Sequence, residues 1–312
     1  MHRKLAAGAA ILALVLAACG GGTATKGTVK IAINPWVGYE ADAAVVAYVL
    51  EKSLGYKVEK VPLTEQVSWE GFASGTVDVI LENWGHADLV KKYITDDKVA
   101  VDVGSTGVDG IIGWYVPPWM VEKYPDITDW HNLNKYADMF KTSESGDKGQ
   151  LLDGDSTFVT EDAGIIKGLG LNYEVVYSGS EASLITSFRA AQENKTPLIG
   201  YFYSPQWFLA EVPLVHIDLP PWTEGCDTDL TNITCDYAPY NDLNKVVSKK
   251  FADSGGDAYK LVQKFKWTAD AQNVVARYIT VDFAGDADAA AKAAEKWVKD
   301  PANEATWKAW LP

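Results

Sequence analysis

Between residues 28 and 81 apolar positions recur with strand, then helix, then strand spacing. Thr28-Val29-Lys30-Ile31-Ala32-Ile33 alternates, the period of a half-buried strand. Asn34-Pro35-Trp36-Val37-Gly38-Tyr39 breaks the alternation, and 41–54 is an apolar run of helical length that stops at Gly55. A second strand is predicted over 56–61, a short helix over 68–74 stopped by Gly75, and a third strand over 77–81 that runs into Glu82-Asn83-Trp84. Strand, helix, strand, helix, strand is the pattern of a parallel α/β layer.

A second unit follows. Residues 111–116 read as a strand broken by Pro117-Pro118, and 142–150 as a polar surface loop. Asp155-Ser156-Thr157 looks like the capped start of a helix running to about 169. A strand over 174–177, a helix over 181–194 and a strand over 198–203 come next, the last ending before Ser204-Pro205-Gln206-Trp207. Loop composition continues to about 240, and the remainder reads as helices over 241–253, 258–265, 269–279, 286–299 and 304–310. The expectation is an α/β fold of two lobes, with crossovers near 110–113 and 217–222. Lobe I takes 28–110 and 222–312, and lobe II takes 111–221. Ligands of open α/β sheets bind beyond the carboxyl ends of strands, and a cleft between lobes is a natural place for one.

The first residues follow a different pattern. His2, Arg3 and Lys4 precede an apolar run, 5–18, that is too short to span a bilayer comfortably and ends in Leu16-Ala17-Ala18-Cys19. This is the layout of a secretory signal peptide over 1–18. The cysteine after it resembles a bacterial lipobox, in which Cys19 is lipidated and becomes the mature N-terminus. Residues 19–27, rich in Gly and Thr, then form a tether. The expected location is extracytoplasmic, anchored to the cell membrane through Cys19, without ATP or cytosolic cofactors.

The formal charge is −14, and Arg3 and Lys4 leave with the leader, so the body is more acidic still. Nucleic-acid binding, which draws its affinity from basic contacts, does not fit. Beyond Cys19 the remaining cysteines are Cys226 and Cys235, nine apart in a polar stretch. In an oxidising compartment they are expected to form a disulfide worth about 2–3 kcal/mol. The four histidines, His2, His86, His131 and His216, are too spread to suggest a metal site.

Familiar catalytic signatures are missing: no Walker A loop, no Gly-x-Gly-x-x-Gly after a strand, no His-Glu-x-x-His. Gly71-Phe72-Ala73-Ser74-Gly75 misses the nucleophile-elbow spacing by one residue. What is unusual is aromatic: 12 tryptophans, several of them in loops that follow strands. Trp267, Trp297, Trp307 and Trp310, on the C-terminal helices, are read as packing. Trp36, Trp84 and the aromatics of Tyr201-Phe202-Tyr203 end strands at the expected cleft, and Trp114 lies near the first crossover.

These segments carry a resemblance. Asn34-Pro35-Trp36, the run from Trp69 to Asp78, Glu82-Asn83-Trp84, Gly113-Trp114-Tyr115-Val116-Pro117 and Tyr203-Ser204-Pro205-Gln206-Trp207 occur in the order found in substrate-binding proteins of ABC importers for quaternary ammonium compounds. That is the glycine betaine/proline betaine/choline-binding family, and the resemblance runs from about Val29 through the C-terminal helices. It implies a type II periplasmic-binding-protein-like fold with hinge crossovers and a non-enzymatic role in osmoprotectant uptake. The implied partners are a membrane ABC permease and a quaternary ammonium solute; a monomer without cofactor or metal is expected.

It also implies a box of aromatic rings. A quaternary nitrogen has no N–H to donate, but ring faces attract it by about 0.5–2 kcal/mol each once water is excluded. Matched position by position, the box would use Trp84, Trp36, Phe158 and Tyr203, the last where relatives often place a tryptophan, with Trp114 as a further candidate. Val159 and Thr160, at the start of the helix expected from Ser156, would offer N–H groups to a ligand carboxylate, and His86 can reach one as well. The choline-binding branch places an Asp shortly after the first-loop tryptophan. Val37 and Gly38 stand there instead, which favours glycine or proline betaine, while Glu40 keeps choline in play, and carnitine remains an alternative. Two other readings remain: a carbohydrate-active lipoprotein enzyme with two cleft carboxylates, and a carbohydrate-binding module with its rings on an open surface.

Overall fold

The structure, a computed structural model, describes residues 26–158 and 160–312. The leader, Cys19 and Val159 therefore lie outside the described residues. The strands form two five-stranded sheets. The first has the order β2-β1-β3-β10-β4, built from β1 (Thr28–Ile33), β2 (Lys57–Pro62), β3 (Val79–Asn83), β4 (Ala100–Ser105) and β10 (Asn244–Ser248). The second has the order β7-β6-β8-β5-β9, from β5 (Ile111–Val116), β6 (Gly149–Asp153), β7 (Tyr173–Tyr177), β8 (Gly200–Ser204) and β9 (Val215–His216). The α/β class is as expected.

β1 pairs in parallel with β2, Thr28 opposite Lys57, and with β3. Between β1 and β2 runs α1 (Val37–Lys52), which buries twelve of its residues. A helix apolar nearly all round belongs in the interior. Its alanines let it pack closely between the sheet and the helix Ala289–Lys299, whose Ala293 and Ala294 are also buried. α1 starts four residues earlier than its apolar run suggested, so Trp36 becomes its N-cap residue.

Two helix expectations fail, and the loop expected over 142–150 gives way to strand β6 at Gly149. Residues 241–253 are not one helix: β10 comes first and pairs antiparallel with both β3 and β4, and only Lys249–Ser254 is helical. β10 is a central strand with Val246 and Val247 fully buried, so its sequence lacks the alternation that marks a half-exposed strand. The helix expected from Ser156 begins at Asp162 and ends at Gly168. Asp155 spends its side chain on a turn instead, accepting from Thr157 N–H and Oγ1 at 2.8 Å.

Cys226 and Cys235 are disulfide-bonded with Cα atoms 6.0 Å apart. The loop they close, assigned by sequence to lobe I, lies against the helix Asp162–Gly168 through an Ile233 N–H to Gly164 carbonyl bond of 3.0 Å. No described helix is long and apolar enough to cross a membrane.

Candidate functional site: an aromatic cage between two sheets

Trp36 follows β1, and Trp84 follows β3, its neighbour in the sheet. Phe158 lies beyond β6, and Tyr201 and Tyr203 sit two apart on β8, on one face of the strand. Together with Ile112 of β5 and Glu65 of α2 (Glu65–Ser74), these rings line a small cavity, about 30 Å³, between the two sheets. Rings from opposite sides meet edge to face: Trp36 and Phe158 at 6.1 Å between centroids, Trp84 and Tyr203 at 5.7 Å. Tyr240 also packs on Trp84, at 5.6 Å, and is not among the lining residues.

Two glycines make room for the rings. A Cβ on Gly110 would collide with the six-membered ring of Trp84, and one on Gly154 would stand 2.7 Å from Phe158.

The first-sheet rings are held through their polar edges. Glu82 Oε1 accepts from Trp36 Nε1 at 2.8 Å and from Trp84 Nε1 at 2.7 Å. Its Oε2 accepts from Gln272 Nε2 at 2.6 Å. Glu82 is buried and does not line the cavity, so these indoles turn their N–H groups away from it. Burial pushes the Glu82 pKa up, and the bonds from Asp42, the two indoles and Gln272 oppose the rise.

On the facing side, Tyr203 donates its hydroxyl to Glu181, which also accepts from Gln206 Nε2 at 2.7 Å. The other Glu181 oxygen accepts from the Val37 N–H at 2.8 Å. Trp36 gives α1 no side-chain cap, so a carboxylate from across the cleft satisfies one of the free N–H groups at that helix start. Burial raises the pKa of Glu181 despite these three donors. Burial also holds the Tyr201 and Tyr203 phenols well above their ordinary value, with nearby carboxylates adding to it. Both keep their protons.

The remaining expected residues are placed as follows. Trp114 is fully buried below the cavity, its indole donating to Asp162 Oδ1 at 2.7 Å, and it is not among the lining residues. Thr160 gives its hydroxyl to Asp153 at 2.8 Å. His86 pairs with Glu65 at 2.6 Å; burial alone would lower its pKa, but Glu65, Asp88 and Glu161 outweigh that and hold it above the ordinary value.

Sequence reading did not single out Glu65, Glu82, Glu181, Ile112 or Gln272. One signal was there: Glu82 and Trp84 are two apart at the end of a strand, the spacing that puts side chains on one face. Nothing local marks Gln272, which arrives from a helix 190 residues later.

A family model described as the substrate binding domain of ABC-type glycine betaine transport systems matches residues 27–300. The trimethylamine N-oxide-binding protein of Pelagibacter ubique (strain HTCC1062) is 27% identical over 293 residues, covering 91% of this chain and 90% of its own length. Among solved structures, the glycine/betaine/L-proline-binding protein ProX of Borrelia burgdorferi superposes with a TM-score of 0.71 at 21% identity, covering 91% of this chain and 97% of that one. Lactococcal OpuAC, closed around glycine betaine, gives 0.68 at 20% identity, covering 91% and 99%. Both share the periplasmic-binding-protein-like fold. With nearly the whole described chain matched, this protein belongs to the family of substrate-binding domains of ABC-type glycine betaine transport systems, solute-binding components that carry out no catalysis.

Proposed function

We propose that the chain captures a small trimethylated ammonium solute outside the cytoplasm and delivers it to its ABC permease as a monomer anchored through Cys19. One observation carries the reading: five aromatic rings from two sheets enclose one cavity, and the two indoles among them turn their N–H edges away from it. Three or four ring contacts, with burial of the methyl groups, are enough for micromolar binding, about −8 kcal/mol. Ligand contacts to both walls favour the closed state.

For the other end of the ligand, the lining supports a neutral oxygen over a carboxylate. The Glu65 carboxyl group stands on the wall, and no described lysine or arginine does. A betaine carboxylate would face Glu65 without a cation of its own, because the nearby His86 is already paired with Glu65. The helix start expected to receive that carboxylate at Ser156 is a turn, and the helix begins six residues later. A choline hydroxyl can donate to Glu65, and an N-oxide oxygen can accept from the Tyr201 phenol. Choline and trimethylamine N-oxide therefore come ahead of glycine and proline betaine, the reverse of the order expected from sequence. The Pelagibacter relative, named for trimethylamine N-oxide, supports including that solute.

Calorimetric titration of the soluble body against choline, trimethylamine N-oxide, glycine betaine, proline betaine and carnitine tests this. Choline or the N-oxide should bind at least tenfold more tightly than either betaine. A betaine as the tightest ligand would overturn the assignment of Glu65, and silence across the panel would overturn the function. Separately, Cys19→Ser should release the protein from the membrane fraction.

A further inference from the structure

We propose that Glu82 is a positioning residue that gives the cage its preference for a cation: through the two indole N–H bonds it fixes the rings of Trp36 and Trp84 and places a negative charge directly behind them. The inference rests on the functional reading above and adds to it the source of charge selectivity.

Glu82 sits inside β3, every residue of which is buried. One of its oxygens serves both indoles and the other serves Gln272, so the carboxylate is held from two sides. Gln272 also reaches Asp42, at 3.4 Å. An indole that donates to a carboxylate becomes more electron-rich across its ring, and a cation on the ring makes the N–H a better donor in return. Ring quadrupole and carboxylate then act in the same direction on a cation, among rings that are themselves buried. A neutral group of the same shape gains burial from the cage but nothing from this charge.

Two neighbouring acids would ordinarily compete for one charge. Burial, and then the adjacent Glu82, hold the Asp42 carboxyl far above its ordinary value, whereas Glu82 has four hydrogen bonds working against its own rise. Glu82 accepts three N–H bonds, from both indoles and Gln272, whereas Gln272 reaches Asp42 at 3.4 Å, so the proton is assigned to Asp42 and the charge to the carboxylate that touches the rings.

The test compares choline with 3,3-dimethyl-1-butanol, its uncharged carbon isostere, by calorimetry on the soluble body. The wild type should prefer choline. Glu82→Gln, which keeps an acceptor for the indoles and removes the charge, should cut the choline-to-isostere affinity ratio by about tenfold. Asp42→Asn should leave that ratio unchanged. A mere loss of ring position would weaken both ligands together. An unchanged ratio in folded Glu82→Gln overturns this inference while leaving the function intact; failure of the wild type to bind choline or any other trimethylated solute overturns both. Should Glu82→Gln not fold, the wild type decides by NMR of its indole N–H groups. The Trp36 and Trp84 signals should move downfield on adding choline and stay in place with the isostere, and equal responses to the two ligands would overturn the proposal.

Discussion

Two clusters of tryptophan and its aromatic neighbours, one at the C-terminus and one at the cage, are built to opposite ends. In the C-terminal cluster Trp297 lies parallel to Trp310 at 6.0 Å, Trp267 meets Trp297 edge-on at 5.4 Å, and Phe265 closes on Trp310 at 4.8 Å. The rings fill one another's space, and Trp310 gives its N–H to the Lys266 backbone carbonyl at 2.9 Å. In the cage the rings meet mainly at their edges and leave a cavity between them. Their N–H groups go to a buried carboxylate rather than to backbone. Residue type alone does not separate packing from binding; the neighbours of the ring do, by filling its face or leaving it open.

Deleting one ring from each cluster separates the two roles with the largest effect. Trp310→Ala should cost about 3–5 kcal/mol of stability, read by denaturant unfolding, and leave ligand affinity in the folded fraction unchanged. Trp84→Ala should lower affinity at least tenfold, about 1.4 kcal/mol or more, with far less effect on the unfolding midpoint. Exchanged phenotypes, with Trp310 governing affinity and Trp84 stability, would erase the distinction.

A smaller effect follows from the acidity around the cage. Glu161 has its pKa raised from 4.5 to about 7, by burial first and then by Asp227 and Asp236. The native state therefore holds a proton that the unfolded chain has lost between those two values. The stability tied to it is present at low pH and declines as pH rises through that window. Glu161→Gln should flatten the decline and gain about 1 kcal/mol at pH 8, a figure already reduced for its partial exposure. An unchanged pH slope in the variant would count against this. Smallest of all is Tyr203→Phe: the ring remains, Glu181 keeps its bonds from Gln206 and Val37, and affinity should fall less than about threefold by titration.

The same contrast shows what could be read from the chain. Trp36, Trp84 and Tyr203 were legible because each ends or follows a strand, and Phe158 only through the family resemblance, since the strand Gly149–Asp153 before it was read as part of a loop; all four line the cavity. The α/β units with standard periodicity were legible too, with strand 111–116 and helix 181–194 predicted at their observed limits. β10 was not, because a central strand buried on both faces loses its alternation. The helix at Ser156 was misread because Asp and Ser favour turns as strongly as caps, and Asp155 closes a turn there. The carboxylates that organise the cage were hidden for another reason. Glu65, Glu82 and Glu181 look like ordinary acidic residues until folding gives each a specific set of partners.

The central claim is that the rings recognise the trimethylated head itself. Tetramethylammonium is that head with no oxygen, so its calorimetric titration against the wild-type body, with choline as reference, measures the claim directly. Tetramethylammonium should bind within about tenfold of choline. Strong choline binding with no detectable tetramethylammonium binding would contradict it, by placing recognition in the oxygen end of the ligand and leaving the cage as packing.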